Sequence, residues 1–183
     1  MSAALAEPTL AERAARMVDS GEGAPADLAD KNRLALAWAL KDLCYAAWSS
    51  EPQRATNAAD ALRALCTGGE ARAPAQAREI EALADWTAGI AHVTRGRMAE
   101  ATQRFDRAAE TFRSLGQADH AAQTQVPKIM ALSMQGQYDA AAECAERAQQ
   151  AFVALGDVRA AGKVGLNLGA LHERRGNYAQ AAR

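Results

Sequence analysis

Apolar positions along this chain recur at helical spacing, in stretches separated by short polar or glycine-bearing breaks. In 9–20, Leu10, Ala14, Met17 and Val18 fall on one helical face, with Thr9 placed to cap and Glu12 three residues later. Gly21-Glu22-Gly23-Ala24-Pro25 ends that stretch. A longer one, 27–49, carries Leu34, Trp38, Tyr45 and Trp48. Ser50-Glu51-Pro52 is a compact stop and restart, since proline in a first helical turn gives up an N–H that had no partner. A helix over 52–66 then runs to Thr67-Gly68-Gly69. Further helices are predicted over 74–95, 98–115, 117–135, 138–155 and 157–175, and a last one from Tyr178. No segment alternates with a period of two, so no strand is predicted. Helices of ~15–20 residues joined by two or three residues predict an all-α antiparallel array.

The last breaks are echoes of one another. Arg95-Gly96-Arg97-Met98-Ala99-Glu100-Ala101 returns as Gln135-Gly136-Gln137-Tyr138-Asp139-Ala140-Ala141 and again as Arg175-Gly176-Asn177-Tyr178-Ala179-Gln180-Ala181. The glycines set a step of about 40 residues, within the range of stacked helical repeats. Phe112 and Phe152, Leu115-Gly116 and Leu155-Gly156, and Ala121-Ala122 and Ala161-Gly162 keep the same step. Each break holds one glycine, as a left-handed helix end requires. Before this register, the distance from Ala55 to Ala101 is longer, with the excess in 67–73. The domain plan is therefore an N-terminal helix in 1–26, a divergent first hairpin in 27–72, and regular repeats in 73–183, the last cut short.

Composition sharpens the picture in three places. Alanine is about a quarter of the chain and aromatic residues only 5%, which favours helix and thin Ala, Leu and Met layers. A net charge of −1 predicts no general attraction to nucleic acid or to an anionic membrane. Cys44, Cys66 and Cys144 are scattered and odd in number, which argues against a disulfide framework and against zinc. The N-terminus lacks a signal-peptide pattern and no stretch is apolar enough to span a membrane, so a soluble, cytoplasmic protein is expected.

At Leu166-Asn167-Leu168-Gly169-Ala170-Leu171-His172-Glu173-Arg174-Arg175-Gly176-Asn177-Tyr178-Ala179-Gln180-Ala181 the chain resembles the tetratricopeptide repeat family, in its longer-helix bacterial form. The resemblance covers about 73–183 well and 27–67 more loosely, where Glu51-Pro52-Gln53-Arg54-Ala55 looks like a second-helix start. Gly169 matches Gly89, but Ile129 stands there in the middle repeat. The Ala-rich segments 123–136 and 160–176 also look like the arrays preceding caspase-like CHAT domains. The resemblance implies a right-handed α-α superhelix that binds extended peptides on its concave face.

Catalytic constellations are hard to assemble. His92 and His172 share one repeat position on the packing face, and His120 reads as a surface or capping residue. No HExxH, P-loop or GxSxG occurs. Arg95, Arg97, Arg104, Arg107 and Arg113 interleave with Glu100, Asp106 and Glu110, a pattern of helical ion pairs on a solvated face. No enzyme, cofactor or metal is expected.

Matching repeats by their glycines sets Leu83, Gln123 and Lys163 in one row, and Trp86, Val126 and Leu166 in the next. Thr87, Pro127 and Asn167 follow, then Ile90, Met130 and Ala170, then Thr94, Met134 and Arg174. The expected peptide groove is lined by Trp86, Ile90, Met130, Met134, Lys163, Asn167 and Arg174. Lys163 and Asn167 stand where some members of the family clamp a peptide's terminal carboxylate. Pro127, inside a helix, should bend or break it. The expected function is a non-catalytic scaffold for a protein or peptide partner. The alternative is a regulatory segment of a larger enzyme, a CHAT-type protease or a signalling protein. A homodimer through an uncapped C-terminal end is a further expectation.

Overall fold

The computed structural model describes residues 8–24, 28, 30–67 and 73–174. Among them eight α-helices follow one another without a strand: α1 (Leu10–Ser20), α2 (Asp30–Ala47), α3 (Pro52–Thr67), α4 (Pro74–Thr94), α5 (Met98–Ser114), α6 (Ala118–Met134), α7 (Tyr138–Ala154) and α8 (Val158–Arg174). The all-α antiparallel array, of the α-α solenoid class, is what the hydrophobic pattern predicts. The helix expected from Tyr178 lies outside the described residues. The chain divides into two compact units, one ending at Ala91 and the other beginning at His92.

In the first unit, α1 starts with the capping box its sequence spells. The Glu12 amide donates to Thr9 Oγ1 at 3.2 Å, and the Thr9 amide donates to Glu12 Oε2 at 2.8 Å. Two N–H groups that a helix start leaves without partners are thereby satisfied. Gly21, at φ 68°, ends the helix in the left-handed region. Ala14, Met17 and Val18 are buried, and α1 packs on both α2 and α3. Asn57 of α3 donates to the Val18 carbonyl at 3.1 Å, satisfying an end carbonyl of α1. Arg54 holds Asp19 with two bonds of 2.9 and 3.2 Å. Leu36, Leu40, Leu62, Leu65, Ile80 and Leu83 make up the large aliphatic part of this core.

The second unit is built to a stricter rule. Each of α5 to α8 has 17 residues. Gly96, Gly116, Gly136 and Gly156 sit at φ 72–76°. At each, two bonds close the preceding helix. The Gly116 amide reaches the Arg113 carbonyl at 3.0 Å and the Gln117 amide reaches the Phe112 carbonyl at 2.9 Å. Gly96 with Arg97, Gly136 with Gln137, and Gly156 with Asp157 repeat the pair at the same relative positions. This is the Schellman closure.

The residue after glycine also opens the next helix: the carbonyls of Arg97, Gln117, Gln137 and Asp157 accept from the amides of Ala101, Ala121, Ala141 and Ala161. Those four alanines are buried. Seventeen-residue helices on three-residue connectors give a backbone step of 20, so the 40-residue echo contains two equivalent halves.

Successive helices pack on one another, α5 on α6, α6 on α7 and α7 on α8. Ile129, Ala145, Ala148, Phe152 and Val164 lie in one cluster, while Phe105 and Phe112 are buried on α5. Pro127 does not break its helix: α6 runs through it to Met134, with Pro127 buried.

Candidate interaction surface

The most unusual outer face of the second unit is on α8. Ala161, Val164, Leu171 and His172 turn inward, as the amphipathic spacing requires. Gly162, Lys163, Leu166, Asn167 and Ala170 are all exposed on the opposite side. Leu166 is 78% exposed, a large apolar side chain in the open between Lys163 and Asn167.

The 40-residue register sets this face beside its equivalent on α6. On α6, the equivalent Ala122 is 5% exposed and belongs, with Val126 and Ile129, to the cluster filled by Ala141, Cys144, Ala145 and Phe152 of α7. The Cys144 thiol also reaches Gln125, at 3.9 Å to its carbonyl and 3.6 Å to its side-chain oxygen. On α8 the same register positions are held by Gly162, Leu166 and Ala170, and the chain that follows α8 lies outside the described residues. On α6, Met130 is half-buried and Met134 is 62% exposed. Around the Gly156 turn, Val153, Leu155 and Val158 add an exposed apolar edge at 64, 45 and 78%.

Two ion pairs of this unit lie away from the α8 face. Lys128 pairs with Asp106, tying α6 to α5, where the sequence pattern predicted pairs within one helix. Glu143 and Arg147 do pair along α7, at 3.6 Å. Lys163 and Asn167 have no hydrogen-bond or ion-pair partner among the described residues. An ammonium and an amide one turn apart leave donors free for an anionic group.

Of the expected groove residues, Met130, Met134, Lys163 and Asn167 fall on this unit with accessible side chains. The Arg174 side chain lies outside the described residues. Trp86 and Ile90 are corrected: each is 1% exposed, so they are core residues and line no open groove. Register by glycines aligns positions along a helix, but the size of a neighbour decides what is covered. Around Trp86 the neighbours are large, with the Tyr45 ring 6.0 Å away, edge on. Sequence reasoning does not single out Leu166 or the Val153–Leu155–Val158 edge, because Leu166 shares the Trp86–Val126 row and nothing in its residue type marks it as exposed.

The titratable groups show where chemistry is suppressed. Burial pushes the Cys44 thiol up to about 12, against the opposing pull of Lys41. Burial raises Cys144 as well. Among the described residues no group of three or more His, Cys, Asp or Glu side chains could hold a metal ion. None of the described helices is long and apolar enough to cross a membrane.

Antiparallel helices that pack in sequence define an α-α solenoid, a class whose surfaces commonly carry protein interactions. The family model of soluble NSF attachment protein, SNAP, matches residues 78–183. That is more than half of the chain, and the chain belongs to this family of non-catalytic helical adaptors. No curated protein matches the chain. The match supports the helical-repeat part of the tetratricopeptide resemblance and does not extend to the bacterial long-helix type or the CHAT link.

Proposed function

We propose that the chain is a non-catalytic adaptor that binds an extended peptide segment of a protein partner along α6 and α8. Met130 and Met134 supply adaptable apolar contact from α6, Leu166 supplies it from α8, and Lys163 with Asn167 holds a carboxylate of the peptide. The observation that carries this reading is Leu166, 78% exposed and flanked on its own face by two donors without described partners. Isolated exposed leucines are common, but one framed on its own face by two donors without described partners fits a docking strip.

The test is selection from a displayed peptide library, followed by fluorescence polarisation with the selected peptides, each with a free or an amidated C-terminus. Selected peptides should combine apolar residues with a carboxylate. The Lys163→Ala/Asn167→Ala double variant should bind them about tenfold more weakly at unchanged helicity, equivalent to ~1.4 kcal/mol. Peptides that bind that variant and Leu166→Ser as well as the parent protein would overturn the assignment.

A further inference from the structure

The first unit contains a cation site of a different kind. Trp38, Lys41 and Tyr45 lie at i, i+3 and i+7 on α2, which puts them on one helical face. Trp86 comes from α4 to meet them. The Lys41 ammonium stands 4.4 Å from the centre of the Trp86 ring, 5.4 Å from that of Tyr45 and 5.5 Å from that of Trp38. All three distances are within the reach of a cation–π attraction.

The walls are themselves held. Trp38 Nε1 donates to Glu79 of α4 at 2.9 Å. Tyr45 stacks on Trp48 at 6.0 Å and 26°, and meets Trp86 edge on. Trp86 is 1% exposed. One carboxylate stands at the rim: Asp42 lies 3.2 Å from the ammonium and is itself 72% exposed.

The Lys41 ammonium is a poor match for such surroundings. Its side chain is only 12% exposed, and Asp42 is the one oxygen partner it has among the described residues. A primary ammonium carries three donors and is strongly hydrated, so facing it with rings leaves donors without acceptors. An ammonium whose hydrogens are replaced by methyl groups has no such need. It spreads its charge over an apolar surface that packs on aromatic faces, the arrangement of quaternary-ammonium recognition.

We propose that Trp38, Tyr45 and Trp86, with Asp42 at the rim, form a recognition box for an alkylated ammonium group, and that Lys41 is its tethered occupant. In the unmodified chain the box is closed by its own side chain. Withdrawing that side chain opens a site whose ligand class is a small alkylammonium.

The probe is tetramethylammonium, with tert-butanol as a neutral molecule of similar bulk, applied to the full chain and to Lys41→Ala and Lys41→Met. Lys41→Ala empties the box; Lys41→Met fills it with a neutral chain. Tetramethylammonium should raise the Tm of Lys41→Ala saturably, by about 3 °C near tenfold excess over its Kd, and change its tryptophan emission. tert-Butanol should not, and neither the parent protein nor Lys41→Met should respond. A cooperatively melting Lys41→Ala that responds to neither molecule, or equally to both, would overturn the proposal. If Lys41→Ala does not fold alone, tetramethylammonium should restore its helicity. Failure to do so while Lys41→Met folds would equally overturn it.

Discussion

The Asp157 amide donates to the Phe152 carbonyl at 2.9 Å, across a glycine held at φ 76°. That one bond carries the chain from α7 into α8, and Asp157 Oδ1 adds a cap by accepting from the Ala160 amide at 2.9 Å. The turn therefore needs a left-handed residue at Gly156 and nothing else there, since a Cβ at that position would meet no atom within 4 Å. Gly156→Ala should destabilise the protein through backbone conformation alone, by about 1–2 kcal/mol. Six residues on, Gly162 lies inside α8 in equally open space but without the positive φ. Gly162→Ala should stabilise by about 1 kcal/mol, the helix propensity difference. Urea denaturation of the two variants should thus move the midpoint in opposite directions, and equal shifts would contradict this account of the turn.

Pro127 presents two opposed terms. A proline within a helix costs about 3 kcal/mol through the lost N–H bond and the ring's clash with the preceding turn. Pro127 is also buried, and shortening it to alanine removes two methylene groups worth about 1.6 kcal/mol of burial. The backbone term is the larger. Pro127→Ala should therefore stabilise the protein by roughly 1 kcal/mol, read as a raised urea midpoint. A clear loss of stability would mean that the ring's packing outweighs the ladder it interrupts.

The turns explain how much of the molecule the sequence discloses. Gly96, Gly116, Gly136 and Gly156 are local devices: a residue that must be left-handed, then one that must open a helix, then an alanine that must be buried. Each demand acts on residue type within five positions, so helix order and turn positions are legible from the chain. Coverage is not local. Trp86, Val126 and Leu166 share a register position, yet Trp86 is 1% exposed, Val126 half-buried and Leu166 78% exposed. Position in a repeat tells which way a side chain points, while its neighbours on other helices decide whether water reaches it. The Lys41 box was missed for the same reason: the spacing of Trp38, Lys41 and Tyr45 was visible, but the third ring comes from a helix about forty residues away.

The three thiols should separate by reactivity. The thiolate is the reactive form, and burial pushes Cys44 up to about 12 and raises Cys144. Both are buried, whereas Cys66 is half-buried. In native protein at pH 8, iodoacetamide followed by peptide mass mapping should find Cys66 alkylated first and Cys44 last. Raising the pH to 9 should leave Cys44 protected, because its native thiol remains protonated there. Early labelling of Cys44 would show that the α2 face opens more readily than its packing implies.

His92 occupies the position that Phe112, Leu132 and Phe152 fill in the following turns, and its carbonyl accepts the Arg97 amide at 2.9 Å. Its Nδ1 is buried without a partner among the described residues. Burial lowers its pKa below the ordinary 6.5, and nearby Arg104, Arg97 and Arg95 add to this against the opposing pull of Glu100. The folded state thus prefers the neutral ring. Above 6.5 the ring is neutral in both states and its contribution is fully present. As pH falls, the unfolded chain takes up the proton first, so stability declines until pH passes below the folded pKa and then levels off. His92→Phe puts the side chain of the equivalent turns into this place and removes the proton uptake. Urea midpoints measured from pH 7.5 to 5 should fall less steeply in His92→Phe than in the parent protein. Parallel curves would locate the acid sensitivity in other groups.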